Sequence, residues 1–238
     1  MNAKTYSIHL DGDWSLDDFS AMPKPFLQLY SFHFHFVRRG KRLAFSAESD
    51  FATELIEGDG QSATFNRYPW QGGYSVVHFF DTLKVHTPDS FRPQVRRIAY
   101  ASPGFIELGC CVAVALSVGK VIKIVCDSAS TILRVYNEYH QEASRRNLLR
   151  LEVQEKEISV AKQRISLRRD QLEFVREANA HLSSALKIRN VEALDRATGS
   201  PLRTMKVLMA YYRRLKVLMD FVEKGMVYFP DDSDDSPQ

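Results

Sequence analysis

The sequence predicts an α+β protein with its strands early and its helices late. The α+β class rests on three patterns. Tyr6, Ile8 and Leu10 alternate with Thr5, Ser7 and His9, the period of a half-buried strand. From about Gly109 onward the pattern is helical almost to the end. Within that half, Leu151, Ile158, Ile165 and Leu172 repeat every seven residues, as do Val153, Val160, Leu167 and Phe174 two residues later. A two-residue offset turns an α-helix by about 200°, so the two stripes lie on nearly opposite faces and both need covering. The expected architecture is a small mixed β-sheet head with two or three helices (residues 1–108), then a helical half (109–229). That half holds a long coiled-coil-like helix and an amphipathic C-terminal helix, and a disordered acidic tail follows (230–238).

The elements follow in order. A turn at Asp11-Gly12-Asp13 ends the first strand. Ser15 with Asp18 three residues later forms a capping box, so a helix starts at Leu16, and Pro23 and Pro25 interrupt it. Phe26 to Val37 reads as helix on Phe26, Tyr30, Phe34 and Val37, although Phe32, Phe34 and Phe36 also alternate like a strand. Leu43–Phe45 and Ala63–Phe65 are short strand candidates, and Pro69–Gly73 is a loop. Tyr74–Leu83 is a helix with Val76, Phe79, Phe80 and Leu83 inward. Val95–Tyr100 and Phe105–Leu108 are strands separated by a kink at Ser102-Pro103-Gly104.

Gly109 to Val125 is an apolar helix. Its uncharged run, Gly109 to Gly119, is about half the roughly 20 residues needed to span a bilayer, so it is expected on the sheet and not in a membrane. A second helix runs from Ser128 or Ser130 towards Ile188, either continuous or folded as a hairpin, with no Gly or Pro to mark a break. Ala197-Thr198-Gly199-Ser200-Pro201 closes one helix and restarts another. The last helix stops at Gly225, and Met226–Phe229 extends as a strand or packing arm.

Composition bounds function only loosely. The chain has 238 residues, a net charge of +3 and three cysteines. That charge is too small to imply a nucleic-acid partner by itself, and an odd cysteine count fits a reducing compartment. The N-terminus lacks a basic start and an apolar run, so a cytoplasmic location is expected. No cofactor, metal or catalytic set is expected. His33 and His35 fall on different helical faces, the acids Asp11, Asp13, Asp17 and Asp18 belong to a turn and a helix start, and Cys110 and Cys111 lack a local basic partner. Arg203, Lys206, Arg213 and Arg214 gather opposite the apolar face of the last helix, a possible anion or nucleic-acid contact.

The expected function is therefore a non-catalytic scaffold or accessory protein. It would assemble with itself or a partner protein through the eight stripe residues and hold a macromolecule. Two alternatives stand beside it. One is a nucleic-acid-associated protein using the four basic residues, which is not favoured. The other is an enzyme or effector with a site in the head near Asp11, His33, His35 and Trp70.

Overall fold

A computed structural model of the chain describes residues 5–37, 76–149, 169–188 and 191–230. The described residues divide into two compact units, each discontinuous in sequence. The first takes in 5–37, 83–129 and 211–230, the second 76–82, 130–149, 169–188 and 191–210. The expected parting at residue 108 does not coincide with this division. The apolar helix after it and the end of the last helix belong with the sheet.

Four strands build the first unit's sheet: β1 Thr5–Leu10, β2 Gln94–Ala99, β3 Gly104–Gly109 and β4 Val227–Tyr228. Their order is β2-β3-β1-β4. Every pairing is antiparallel, so the sheet is not the mixed one expected. Tyr6, Ile8, Leu10, Ile106, Leu108 and Val227 are buried on one face. The opposite face carries Thr5, His9 and Tyr228, all exposed, with Ser7, Phe105 and Glu107 half-buried. Over β1, β3 and β4 that face is closed and the other open, as the alternation in β1 implied, whereas in β2 Val95 and Ile98 are exposed on the first face as well.

The first helix, α1 Leu16–Ala21, opens on the expected capping box. The Ser15 hydroxyl accepts from the Asp18 N–H, and the Asp18 carboxylate accepts from the Ser15 N–H. Helix α2 Pro23–Phe32 starts on Pro23, where the missing N–H costs nothing. It runs on as a π-helical turn over His33–Val37, so the helical reading of this segment holds and the strand reading does not. Helix α3 Val76–His86 buries Phe79, Phe80 and Leu83.

Helix α4 Val112–Asp127 buries Val114, Ala115, Val118, Gly119, Ile122 and Val125, and packs on β1 and α2. Gly119 is needed there: a Cβ would meet the Pro230 carbonyl, which also accepts a 3.0 Å hydrogen bond from the Tyr6 hydroxyl. Among the described residues no helix is long and apolar enough to cross a membrane.

The second unit corrects the long helix. Helix α5 Ala129–Arg145 ends after 17 residues, and Asn147 takes φ 55°. The Leu148 N–H reaches back to the Ala143 carbonyl and the Asn147 N–H to Ser144, a Schellman cap with Asn in the left-handed position. Helix α6 Arg169–Ala185 then places Phe174 and His181 against Tyr139 of α5, so the two helices touch within one chain. A continuous helix of about 90 Å is excluded by the break at residues 146–149.

Helix α6 ends with the same cap, Lys187 standing at φ 57° with bonds from Ile188 to Ser183 and from Lys187 to Ser184. A lysine side chain crowds its own backbone in that region, whereas glycine does not. Lys187 is exposed, so Lys187→Gly is expected to raise stability by about 0.5–1 kcal/mol, net of the freedom gained by the unfolded chain. A lower urea midpoint for the variant would contradict this account of the cap.

Helices α7 Val191–Thr198 and α8 Pro201–Glu223 meet at Gly199, which takes φ 70°. Buried Asn179 ties this junction to α6 by donating 2.9 Å to the Pro201 carbonyl. Asp195 is half-buried beside it, and burial pushes its carboxyl above the usual range despite an opposing hydrogen bond with Thr204. Folding is therefore penalised while Asp195 is charged, and the penalty fades as pH falls towards the ordinary value of 3.8. Asp195→Asn should be more stable than wild type at pH 7, with the gap closing in acid. A gap that widens on acidification would reverse the assignment.

Candidate functional site

Two places in the first unit concentrate functional side chains, one enclosed and one open. The enclosed place begins with the π-turn, a backbone form often found at functional positions. It carries His33, which is 1% exposed, between Ser117 of α4 and Tyr211 of α8. The Ser117 hydroxyl donates 2.7 Å to the Val114 carbonyl. It therefore accepts from His33 Nδ1–H at 2.8 Å, which leaves Nε2 to accept from the Tyr211 O–H at 2.7 Å. The chain runs in one direction, from Tyr211 through His33 and Ser117 to the backbone. Burial holds the Tyr211 phenol far above its ordinary range, so it remains a donor. The arrangement orients three elements and buries their polar atoms with partners.

Neighbouring groups are similarly engaged. His35 Nε2 lies 3.4 Å from the Thr87 hydroxyl, which donates to the Leu83 carbonyl. Tyr30 donates 2.8 Å to the Phe91 carbonyl and accepts from the Cys111 N–H. Burial pushes the Cys110 thiol up to about 12 and Cys126 to about 11, which leaves little thiolate at neutral pH. The Asp11 carboxylate accepts from the Ser102 hydroxyl and the Gly12 N–H, which hold it below its ordinary range. Asp18 is committed to the helix cap. No group of three or more His, Cys, Asp or Glu with metal-holding geometry occurs among the described residues.

The open place is the uncovered face of the sheet. His9 stands opposite Phe105 on one side and Tyr228 on the other. Opposed residues point to the same face, so three rings form a row across β3, β1 and β4. The His9 and Tyr228 rings are 6.0 Å apart, and Tyr228 is 44% exposed. Beside the row lies basic charge. A bulge between Val95 and Arg97 makes Arg96 an extra residue in β2, and its side chain lies across Gly109. The Arg97 guanidinium sits 5.3 Å from the Phe105 ring centre. Glu107 is the one carboxylate on this face among the described strand residues.

The residues singled out from sequence are distributed differently. Leu151, Val153, Ile158, Val160, Ile165 and Leu167 lie outside the described residues, as do Trp70 and the strands expected at 43–45 and 63–65. The acidic tail from Asp231 onward lies outside them as well. Leu172 and Phe174 are half-buried, and Phe174 meets Tyr139 and Arg146 of its own chain.

The basic residues of the last helix do not form one exposed face. Arg213 is exposed, Arg203 donates to the Thr198 carbonyl, and Arg214 donates 2.7 Å to Gln28. Lys206 is 6% exposed, inside a run of nine buried residues from Thr204 to Tyr212. That part of α8 is enclosed all round and is not the amphipathic element expected.

The ring row was missed because register is a non-local property. His9 looked like the polar side of a strand, while Phe105 and Tyr228 looked like ordinary strand or arm residues. No family model, curated protein or solved structure matches the sequence.

Proposed function

We propose that this protein is a non-catalytic accessory protein that holds a partner macromolecule, and that the open face of its sheet does the holding. The observation that carries this is the row of His9, Phe105 and Tyr228 on an uncovered face beside two arginines. Aromatic and arginine side chains are the usual anchors of macromolecular contact. The histidine and tyrosine hydroxyl at the centre of the first unit are bonded to one another, and the raised thiols there are poorly suited to attack. The same reading places the protein in a reducing compartment, which an odd number of cysteines suits.

Self-association through the helical half is the other part of the proposal. Its support is narrower at Phe174, which already has partners within its own chain. Hydroxyl-radical footprinting tests the holding surface. The purified full chain is labelled alone and in native cell extract, with exposed Tyr100 as an internal reference. Phe105 and Tyr228 should lose reactivity in extract while Tyr100 does not. Equal labelling in both conditions overturns the proposal.

A further inference from the structure

We infer that the open face of the sheet binds single-stranded nucleic acid, with bases stacked on the ring row and the backbone drawn to Arg96 and Arg97. This rests on the reading of that face as the holding surface and names its partner.

The argument starts from spacing. Neighbouring strands lie about 4.8 Å apart, so Phe105, His9 and Tyr228 span roughly 10 Å across the sheet, room for two bases lying on the rings. Neighbouring rings on an open face suit bases because every base has an apolar face to stack, and the 47° tilt between His9 and Tyr228 offers each base its own ring. Bases in a duplex are already stacked on each other and cannot lie flat on a protein surface, so the row selects for single strands.

Charge supports the same ligand. The bulge in β2 breaks the alternation that would put successive residues on opposite faces, so Arg96 and Arg97 both serve the open side. On that face they outnumber carboxylates by two to one, counting Arg96 and Arg97 against Glu107 among the described strand residues. Arg97 now covers the Phe105 ring. A base taking its place on Phe105 frees the guanidinium for the adjoining phosphate, so one side chain serves both states. Two phosphate contacts make for weak, salt-sensitive binding without sequence preference. The basic residues of α8 are not needed for it.

The test uses the full chain and labelled oligomers of uridine and of deoxythymidine, each about 12 nucleotides, within the footprint range of single-strand binders. Fluorescence anisotropy at low salt should give dissociation constants of roughly 1–100 μM, against much weaker binding of a duplex of equal length. Whichever oligomer binds more tightly identifies the sugar.

Phe105→Ala and Tyr228→Ala should each weaken binding about 5- to 100-fold, while Tyr228→Phe keeps wild-type affinity. Arg97→Glu should weaken binding and reduce the salt slope by about one. Thermal unfolding of each variant checks that it is folded. No binding of either oligomer overturns the inference, as does equal binding by the two alanine variants or by the duplex. The two readings fail separately. Footprint protection that survives nuclease treatment, with no oligomer bound, keeps the holding surface and removes the nucleic acid. Absence of protection in extract removes the holding surface itself.

Discussion

Phe26→Ala is expected to cost about 3–5 kcal/mol, a large share of the 5–15 kcal/mol that usually separates folded from unfolded chains. Phe26 is 2% exposed and stacks on Tyr6 at 6.3 Å and on Phe229 at 5.8 Å, with Tyr30 at 6.5 Å. One ring thus joins α2, the first strand and the segment after the last strand. Its removal leaves a cavity lined by rigid rings, which cannot collapse to fill it. A urea midpoint lowered by less than 1 kcal/mol equivalent would show that the ring does not bridge these elements. Leu16→Ala is the matched control, since Leu16 is 88% exposed and its truncation should change little.

Tyr211→Phe carries the second large effect, about 1–3 kcal/mol for the loss of one oxygen. The phenylalanine fits the same space beside Phe32, but His33 Nε2 then stands buried without the Tyr211 donor. The diagnostic measurement is the double variant. His33→Leu removes the other partner of that bond, so combining it with Tyr211→Phe should cost less than the sum of the two single changes. Strict additivity would mean that the two side chains do not share a bond. A loss of that size with coupling identifies a polar centre whose value lies in orientation.

How much of this was legible in the sequence depended on whether the signal was local. The Ser15 and Asp18 cap, the stop at Gly225 and the restart at Gly199-Ser200-Pro201 are each decided within a few residues, and each was readable. The helix ends at Asn147 and Lys187 use the same Schellman geometry as the end at Gly225 but without glycine. Asn enters the left-handed region at modest cost, and Lys enters it only because the surrounding bonds hold it there. Gly and Pro therefore mark neither end, and the sequence leaves a continuous helix and a hairpin equally open.

Burial of Lys206 was hidden for another reason. A helical wheel assigns a wet face from charge, whereas every residue of α8 from Thr204 to Tyr212 is buried whatever its polarity. The ring row is the extreme case. Three residues, Phe105, His9 and Tyr228, meet through strand register, and nothing within any one segment announces it.

Pairing of the first strand with the last has a consequence for how the protein is made. Tyr6 bonds to Pro230 across 224 positions, and β4 cannot dock on β1 until Val227 and Tyr228 have been made. At ribosomal speeds of about 5–20 residues per second, β1 waits on the order of 10–50 s with one edge unpaired. During that wait β1 lacks β4, and a vacant edge beside exposed apolar residues invites pairing with other nascent chains. The two residues of β4 thus set the moment at which the far edge of β1 becomes safe.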